Sequence, residues 1–226
     1  MPKPILVMTP ISKEGLVVGA IVVSFAKKPL KKPKCQTPPN TFYKKEFMIA
    51  ILSDIHSNLE AFLAVLEDMK KFSIQEIYIL GDIVGYGPNP NECVELVKEI
   101  KAFAIKGNHE QGLLQRDFLL NFNPVPARII AWTKDKLNEE NTQFLSSLPL
   151  FYRKKEVAFS HGSLLNTDKY IVKSLDIMEE VEELRSLNIK VEFFGHTHMK
   201  MIFAEDEEPI APSLEWIQLN PELIYL

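Results

Sequence analysis

Five short, mostly apolar runs of this chain each end in a cluster of polar residues and glycine. Apolar runs of this kind are typical of strands covered on both faces of a sheet. Between them lie stretches with helical spacing of apolar residues, such as 59–69, where Asn58 is placed to cap the helix. Strands that alternate with helices predict a layered α/β fold. The strands predicted before the clusters are 47–52, 76–80, 103–105, 157–159 and 191–194, and short strands are predicted at 201–203, 216–219 and 223–225. Further helices are predicted at 91–101, 111–120, 127–137 and 175–187.

The clusters hold every histidine of the chain. In open α/β sheets, ligands bind beyond the carboxyl ends of the strands, so we expect the clusters to meet along one edge. Histidine is the commonest metal ligand near neutral pH, and the sequence therefore predicts a metal site. The clusters are Ser53-Asp54-Ile55-His56, Gly81-Asp82, Gly107-Asn108-His109-Glu110, Ser160-His161-Gly162 and Gly195-His196-Thr197-His198.

The residue types favour a pair of divalent metal ions. Two ions about 3.5–4 Å apart can bind a phosphate, activate a water and stabilise a leaving oxygen, and they need a carboxylate that both can share. Mixed imidazole and carboxylate ligands suit Mn, Fe, Ni, Co or Zn better than Mg or Ca. Neither Cys35 nor Cys93 lies in a cluster, which disfavours a structural zinc site.

Each motif alone has an ordinary structural explanation. Asp54 could be a residue at a helix N-terminus, Gly81-Asp82 a common turn, and Asn108 a turn residue in the left-handed conformation. Their joint occurrence, in order and each after a predicted strand, is what favours a shared site.

As a set, the clusters resemble the calcineurin-like metallophosphoesterase superfamily, whose pattern runs Asp-x-His, Gly-Asp, Gly-Asn-His-Asp/Glu, Gly-His and Gly-His-x-His. All five elements occur in order between Asp54 and His198. The resemblance covers residues 47–226 and implies a four-layer αββα sandwich of two mixed sheets with the site at its edge. Residues 85–93 look like a group of small prokaryotic phosphodiesterases, which favours diesters over monoesters.

The resemblance also implies roles for the cluster residues. His109 would contact the phosphate and protonate the leaving group as a general acid. A hydroxide bridging two metal ions would attack small or nucleotide-like phosphate esters. The implied metal ligands are Asp54, His56 and His198 for the first ion, Asn108, His161 and His196 for the second, and Asp82 for both.

The residues that contact the leaving group of the substrate lie outside these motifs. Tyr86 and Asn89 are candidates by position only, and Tyr86 is equally suited to packing within its turn. Phosphoprotein phosphatases usually carry Asp-Arg-Gly after Gly-Asp-x-Val and an Arg before Gly-Asn-His. Here those places hold Gly85-Tyr86-Gly87 and Lys106, which disfavours a dedicated protein phosphatase.

Charge divides the chain near residue 46. Nine lysines against two glutamates give residues 1–46 a net charge of +7, which leaves −11 for the rest of a chain with net charge −4. We interpret residues 1–46 as a basic, Pro/Lys-rich, non-catalytic extension and 47–226 as the catalytic domain. The extension is the only feature of the sequence that suggests nucleic-acid binding, and a run of lysines is more often simply exposed to solvent.

The apolar run 15–26 is shorter than the roughly 20 residues that span a membrane. Its strongest positive charge follows it, so a signal peptide or anchor is not favoured. The cysteine usage predicts a cytoplasmic protein. Relatives continue beyond a strand like 222–226, so we expect the second sheet to have an unfinished edge at Leu226, and a truncated product is one interpretation.

Two other functional classes stay open. A non-catalytic member of the superfamily could bind a protein partner, although such proteins usually lose ligands or the general acid and this chain keeps all of them. A membrane-tethered enzyme would rest on residues 15–26 alone. The sequence leaves the oligomeric state open.

Overall fold

Between residues 47 and 104, strands and helices alternate as the periodicity predicts. The computed structural model describes residues 47–205 and 223–226, together with the backbone of residues 19–25. Its strands are β1 Gly19–Phe25, β2 Phe47–Ser53, β3 Ile74–Ile79, β4 Phe103–Ala104, β5 Tyr152–Lys154, β6 Val157–Phe159 and β7 Val191–Phe193. Its helices are α1 Leu59–Met69, α2 Pro90–Glu99, α3 Asn108–Leu114, α4 Arg116–Leu119, α5 Pro124–Lys136, α6 Glu139–Ser147 and α7 Ser174–Ser186.

The first sheet has the order β1-β2-β3-β4. Helices α1 and α2 connect β2 to β3 and β3 to β4, and both strand pairs are parallel, as a helical crossover allows. Strand β2 is buried at every position after Phe47. Strand β1 pairs with β2 in the antiparallel direction, from Gly19 opposite Ser53 to Phe25 opposite Phe47. The carboxyl ends of β2, β3 and β4 consequently lie along one edge.

The second sheet has the order β5-β6-β7. Strand β5 is antiparallel to β6, and β6 is parallel to β7. Tyr225 bridges Val191 in the parallel direction and Ala204 in the antiparallel direction, which brings the end of the chain beside β7. The expected α/β class with two mixed sheets is confirmed. The four-layer order stays a prediction.

Three apolar clusters hold these elements together. The first packs the helices on β2 and β3 and includes Phe62, Val94 and Leu145. The second joins the two sheets, where the Tyr78 ring stacks parallel on Phe159 with 4.1 Å between centroids. The third joins the second sheet to α7. The loops at the strand ends lie outside these clusters and are left free to form a site.

The structure differs from the sequence prediction in several places. The single helix expected over 111–120 is two helices, because Gln115 between α3 and α4 has an extended backbone. Helix α6 and strand β5 were not predicted, since their sequences are mostly polar and carry little periodicity. The predicted strand 216–219 lies outside the described residues.

Residues 19–25 were not predicted to form regular structure, yet they form the edge strand β1. No helix in the described part of the chain is long and apolar enough to cross a membrane. The division of the chain at residue 46 stays a prediction.

The stacked pair between the sheets generates a stability prediction. Replacing buried Phe159 with Ala removes the ring that faces Tyr78, and we expect the free energy of unfolding to fall by about 3–5 kcal/mol. Urea unfolding followed by circular dichroism measures this loss. Phe151→Ala is the matched control, because Phe151 is 49% exposed. Equal losses in the two variants would contradict this account of the interface.

Candidate metal centre

The loops that follow the strands bring all eight predicted site residues together. Each residue comes shortly after a strand, and the parallel strands of each sheet present their carboxyl ends on a common edge. Seven of the eight are buried, and His198 is exposed. The residues are Asp54, His56, Asp82, Asn108, His109, His161, His196 and His198.

The carboxylate of Asp82 lies at the middle of this cluster. Its Oδ2 atom is 3.3 Å from Nε2 of His161, 3.6 Å from Nε2 of His56 and 3.8 Å from Nε2 of His109. Its Oδ1 atom accepts a hydrogen bond of 3.0 Å from the backbone N–H of His109. One buried carboxylate thus faces histidines that come from three separate loops.

Near Asp82, two histidines and a second carboxylate converge. Nε2 of His198 lies 3.3 Å from Oδ1 of Asp54, and Nε2 of His56 lies 3.1 Å from Nε2 of His198. The ligand atoms of these three residues all lie within 4.8 Å of one another. The backbone N–H of His196 donates to both oxygens of Asp54 at 3.2 Å, which orients that carboxylate. The three side chains can hold one cation.

A second group of potential ligands includes Asp82 itself. The ligand atoms of Asp82, His161 and His196 also lie within 4.8 Å of one another. Nε2 of His161 lies 2.9 Å from Oδ1 of Asn108, which brings the amide oxygen to the same point. Asp82 also lies 3.6 Å from His56 of the first group. The two groups together can therefore hold a pair of cations.

Two features of the ring nitrogens fit metal binding. Nδ1 of His161 donates to the carbonyl of Leu80 at 2.7 Å, and Nδ1 of His56 lies 3.4 Å from the carbonyl of Val84. A carbonyl partner on one ring nitrogen directs the other toward a metal ion. Nε2 of His196 is buried and has no hydrogen-bond partner among the described residues. Such an atom is costly to bury unless an ion or a donor meets it.

His109 occupies a position that allows two roles. Its Nε2 atom lies with His56 and Asp82 in a third group of potential ligand atoms. Its Nδ1 atom is buried without a hydrogen-bond partner in the described part of the chain. Geometry permits either a ligand or a proton donor at His109, and its predicted role as a general acid stays a prediction.

The charges of the cluster set its protonation in the absence of metal. Burial lowers the pKa of His161, but the neighbouring carboxylates of Asp82 and Asp54 outweigh burial and raise it to about 9. Burial raises the pKa of Asp82, but the nearby histidines, above all His161, hold it well below its usual range. Burial lowers the pKa of His109 to about 4. At neutral pH the cluster therefore holds an ionised Asp82 beside a protonated His161.

Glu110 was part of a predicted cluster but had been given no role. Its buried carboxylate accepts hydrogen bonds from the backbone N–H groups of Asp82 at 2.9 Å, Val84 at 3.1 Å and Gly107 at 2.8 Å. Burial and the Asp82 charge raise the pKa of Glu110 to about 7, whereas the N–H donors oppose this shift. Glu110 therefore ties the loop after β3 to the start of α3.

The backbone at the site is strained. Five of the seven predicted metal ligands have positive φ angles, between 50° and 64°. This region is uncommon for residues other than glycine and is found at functional sites more often than elsewhere. The five are Asp54, His56, Asp82, His196 and His198.

Glycine is required at two positions because the backbone there lies very close to side chains of the site. A Cβ atom on Gly85, whose φ is +103°, would lie 2.0 Å from Nδ1 of His109. A Cβ atom on Gly107 would lie 2.2 Å from Oδ1 of Asp82. Neither distance is possible, and so a larger residue at either position would displace a site residue.

The structure separates the two substrate candidates. The Tyr86 ring is exposed and lies 4.8 Å between centroids from both His56 and His109. Asn89 precedes α2 and donates its backbone N–H to the carbonyl of Ser57. The buried side-chain oxygen of Asn89 has no partner among the described residues. No contact described for Asn89 involves a predicted ligand.

Sequence reasoning missed a second tyrosine at the site. The Tyr170 ring lies 3.9 Å between centroids from His196, on the loop that follows His161. Its segment has no motif and no periodic spacing, and no signal in the sequence could have assigned it to the site.

Comparison with known proteins agrees with this geometry. A family model described as "Calcineurin-like phosphoesterase" matches residues 47–200. The protein MJ0912 of Methanocaldococcus jannaschii is 42% identical over 163 residues, which are 70% of this chain and 65% of that protein. The chain thus spans less than two thirds of the length of this relative.

Two solved structures have a similar fold. A metallophosphoesterase from Sphaerobacter thermophilus is 36% identical with a TM-score of 0.61, covering 73% of this chain and 68% of that chain. The protein PH1004 from Pyrococcus horikoshii OT3 is 19% identical with a TM-score of 0.57, covering 79% and 86%. The second likeness concerns the fold alone.

The contacts of Glu110 generate a prediction about folding. Glu110→Ala leaves three backbone N–H groups without an acceptor, and we expect the free energy of unfolding to fall by about 3 kcal/mol. Urea unfolding in the presence of a chelator measures the effect without metal. The matched control is Glu99→Ala, an exposed glutamate near the end of α2. A Glu110 variant as stable as the control would refute this role.

Proposed function

Because the chain belongs to the calcineurin-like phosphoesterase family, we propose that it hydrolyses phosphate esters with two divalent metal ions. The observation that carries this proposal is the position of Asp82, whose carboxylate is close to potential ligands of both groups, His56 of the first and His161 of the second. A two-ion site needs such a shared carboxylate. The same proposal places the site at the edge of a four-layer αββα sandwich in a cytoplasmic enzyme.

The proposed ligands follow from the two groups of side chains. When bound, the ions would supply positive charge for the phosphate and lower the pKa of a bound water. The chemistry of the donors favours Mn, Fe, Ni, Co or Zn. Asp54, His56 and His198 would hold one ion, Asn108, His161 and His196 the other, and Asp82 both.

His109 is the proposed general acid. Its low pKa arises from burial, and a phosphate ester arriving beside it would bring negative charge that favours the protonated ring. A protonated imidazole of low intrinsic pKa gives up its proton readily to a leaving oxygen. The backbone N–H of His109 is held by Asp82, which fixes the position of the ring relative to the proposed ions.

We propose small phosphodiesters as the preferred substrates. Support comes from the segment 85–93, which resembles small phosphodiesterases, and from its contacts, since Tyr86 in this segment lies against His56 and His109. Because Tyr86 lies against His109, the proposed general acid, this segment would border the leaving group.

The proposed activity is tested with bis-p-nitrophenyl phosphate and p-nitrophenyl phosphate in the presence of Mn²⁺, Ni²⁺, Co²⁺ or Mg²⁺. We expect metal-dependent hydrolysis, faster for the diester, and a loss of about 100-fold or more in Asp82→Asn, because the amide cannot supply a charged shared ligand. The release of p-nitrophenol measures the rate. No hydrolysis by the folded wild-type protein with any of these metals would refute the proposed function.

The protonation of His161 predicts how metal affinity depends on pH. Its pKa of about 9 means that a metal ion must displace a proton below that pH. We therefore expect Mn²⁺ affinity to rise about 10-fold per pH unit between pH 6.5 and 8.5. Titration calorimetry in buffers of different ionisation enthalpy counts the protons released. An affinity that does not change over this range would contradict the assignment of His161 as a ligand.

A further inference from the structure

Two tyrosines that are half exposed border the candidate metal centre. Tyr86 lies on the loop after β3 and is 49% exposed, and Tyr170 lies on the loop after His161 and is 54% exposed. The Tyr86 ring meets the His56 ring at an interplanar angle of 82°, with 4.8 Å between centroids. The Tyr170 ring lies 3.9 Å from His196. Each tyrosine is thus anchored on a candidate ligand and leaves about half of its surface to solvent.

The two rings contact different histidines of the centre. Tyr86 contacts His56 and His109, whereas Tyr170 contacts His196. Nε2 of His56 and Nε2 of His109 lie 3.6 Å and 3.8 Å from the Asp82 carboxylate, and the ligand atoms of His196 and Asp82 lie within 4.8 Å of each other. Both rings therefore lie against histidines that face the same carboxylate.

Packing alone does not account for these positions. Tyr86 has a φ of 56° between two glycines of the same loop. A large side chain in this conformation costs free energy, which is tolerated where the position serves a function. Neither tyrosine hydroxyl makes a hydrogen bond to any described residue. Both hydroxyls are therefore available to a ligand.

We propose that Tyr86 and Tyr170 determine specificity by holding a flat aromatic group of the substrate, such as a nucleobase, beside the metal centre. This inference rests on the proposed function, because a phosphate at Asp82 is what would bring the rest of an ester beside the rings. Stacking on an aromatic side chain tolerates any base, since every base has a π face. The substrate class narrows to nucleotides and aryl phosphate esters.

Ligand binding tests the proposal without requiring turnover. The probes are AMP and ribose 5-phosphate, which share a phosphate and a ribose and differ in the base. Titration calorimetry with the Mn²⁺-loaded protein should give about 10-fold tighter binding of AMP, the effect expected of one stacked base. In Tyr86→Leu and Tyr170→Leu, the affinity for AMP should fall toward that for ribose 5-phosphate. The affinity for ribose 5-phosphate and the amount of bound Mn²⁺ should stay unchanged.

The control variants separate stacking from other roles of the tyrosines. Tyr86→Phe and Tyr170→Phe keep the ring and should retain the preference for AMP. Trp132→Leu removes an exposed aromatic of α5, whose ring lies near Lys136, and should have no effect. Equal binding of both probes by the wild-type protein would overturn the proposal. So would equal loss of both probes in the Leu variants, because the tyrosines would then serve only to position the histidines.

These outcomes are distinguishable from failure of the proposed function. If the protein prefers AMP through the two tyrosines but hydrolyses neither p-nitrophenyl ester, the aromatic site is supported and the proposed catalysis is refuted. If the protein hydrolyses the esters but binds both probes equally, the proposed catalysis is supported and the aromatic site is refuted.

Discussion

The arrangement of the site depends on one buried carboxylate, Asp82. An ionised carboxylate in the protein interior is costly unless charges and donors compensate it. Here the nearby histidines and the backbone N–H of His109 provide that compensation. The compensating groups come from separate loops, and the carboxylate can be buried only when those loops meet. Packing of the two sheets and formation of the site are therefore linked through Asp82.

The surrounding structure holds the loops in an arrangement that the chain alone would not favour. Five of the proposed ligand residues have positive φ angles, and their strain must be offset by contacts elsewhere. Glu110 provides part of this support by joining the loop after β3 to α3, and Gly85 and Gly107 make the close approach possible. The stacked interface of Tyr78 and Phe159 brings the two sheets together behind the site. Site geometry is thus set by the fold as much as by the ligands.

Much of this could be predicted from the sequence, because the site follows from where strands end. The alternation of apolar runs with helical stretches predicted that the clusters lie on one edge. Helix α1 and its cap Asn58 were confirmed, since the side chain of Asn58 accepts a hydrogen bond from the backbone N–H of Ala61. Tyr170 could not be predicted, because its contact with His196 depends on how an irregular loop folds back. Strand β1 was missed because an isolated apolar run gives no indication of its pairing partner.

The central claim is that Asp82 joins two metal ions into one centre. Electron paramagnetic resonance of the Mn²⁺-loaded protein, combined with metal analysis, tests it most directly, because two Mn²⁺ ions that share a carboxylate are close enough for their spins to couple. The account predicts two Mn²⁺ per chain with a spin-coupled spectrum, and loss of the coupling in Asp82→Asn. A single ion per chain, or two ions with the spectrum of isolated Mn²⁺, would contradict it.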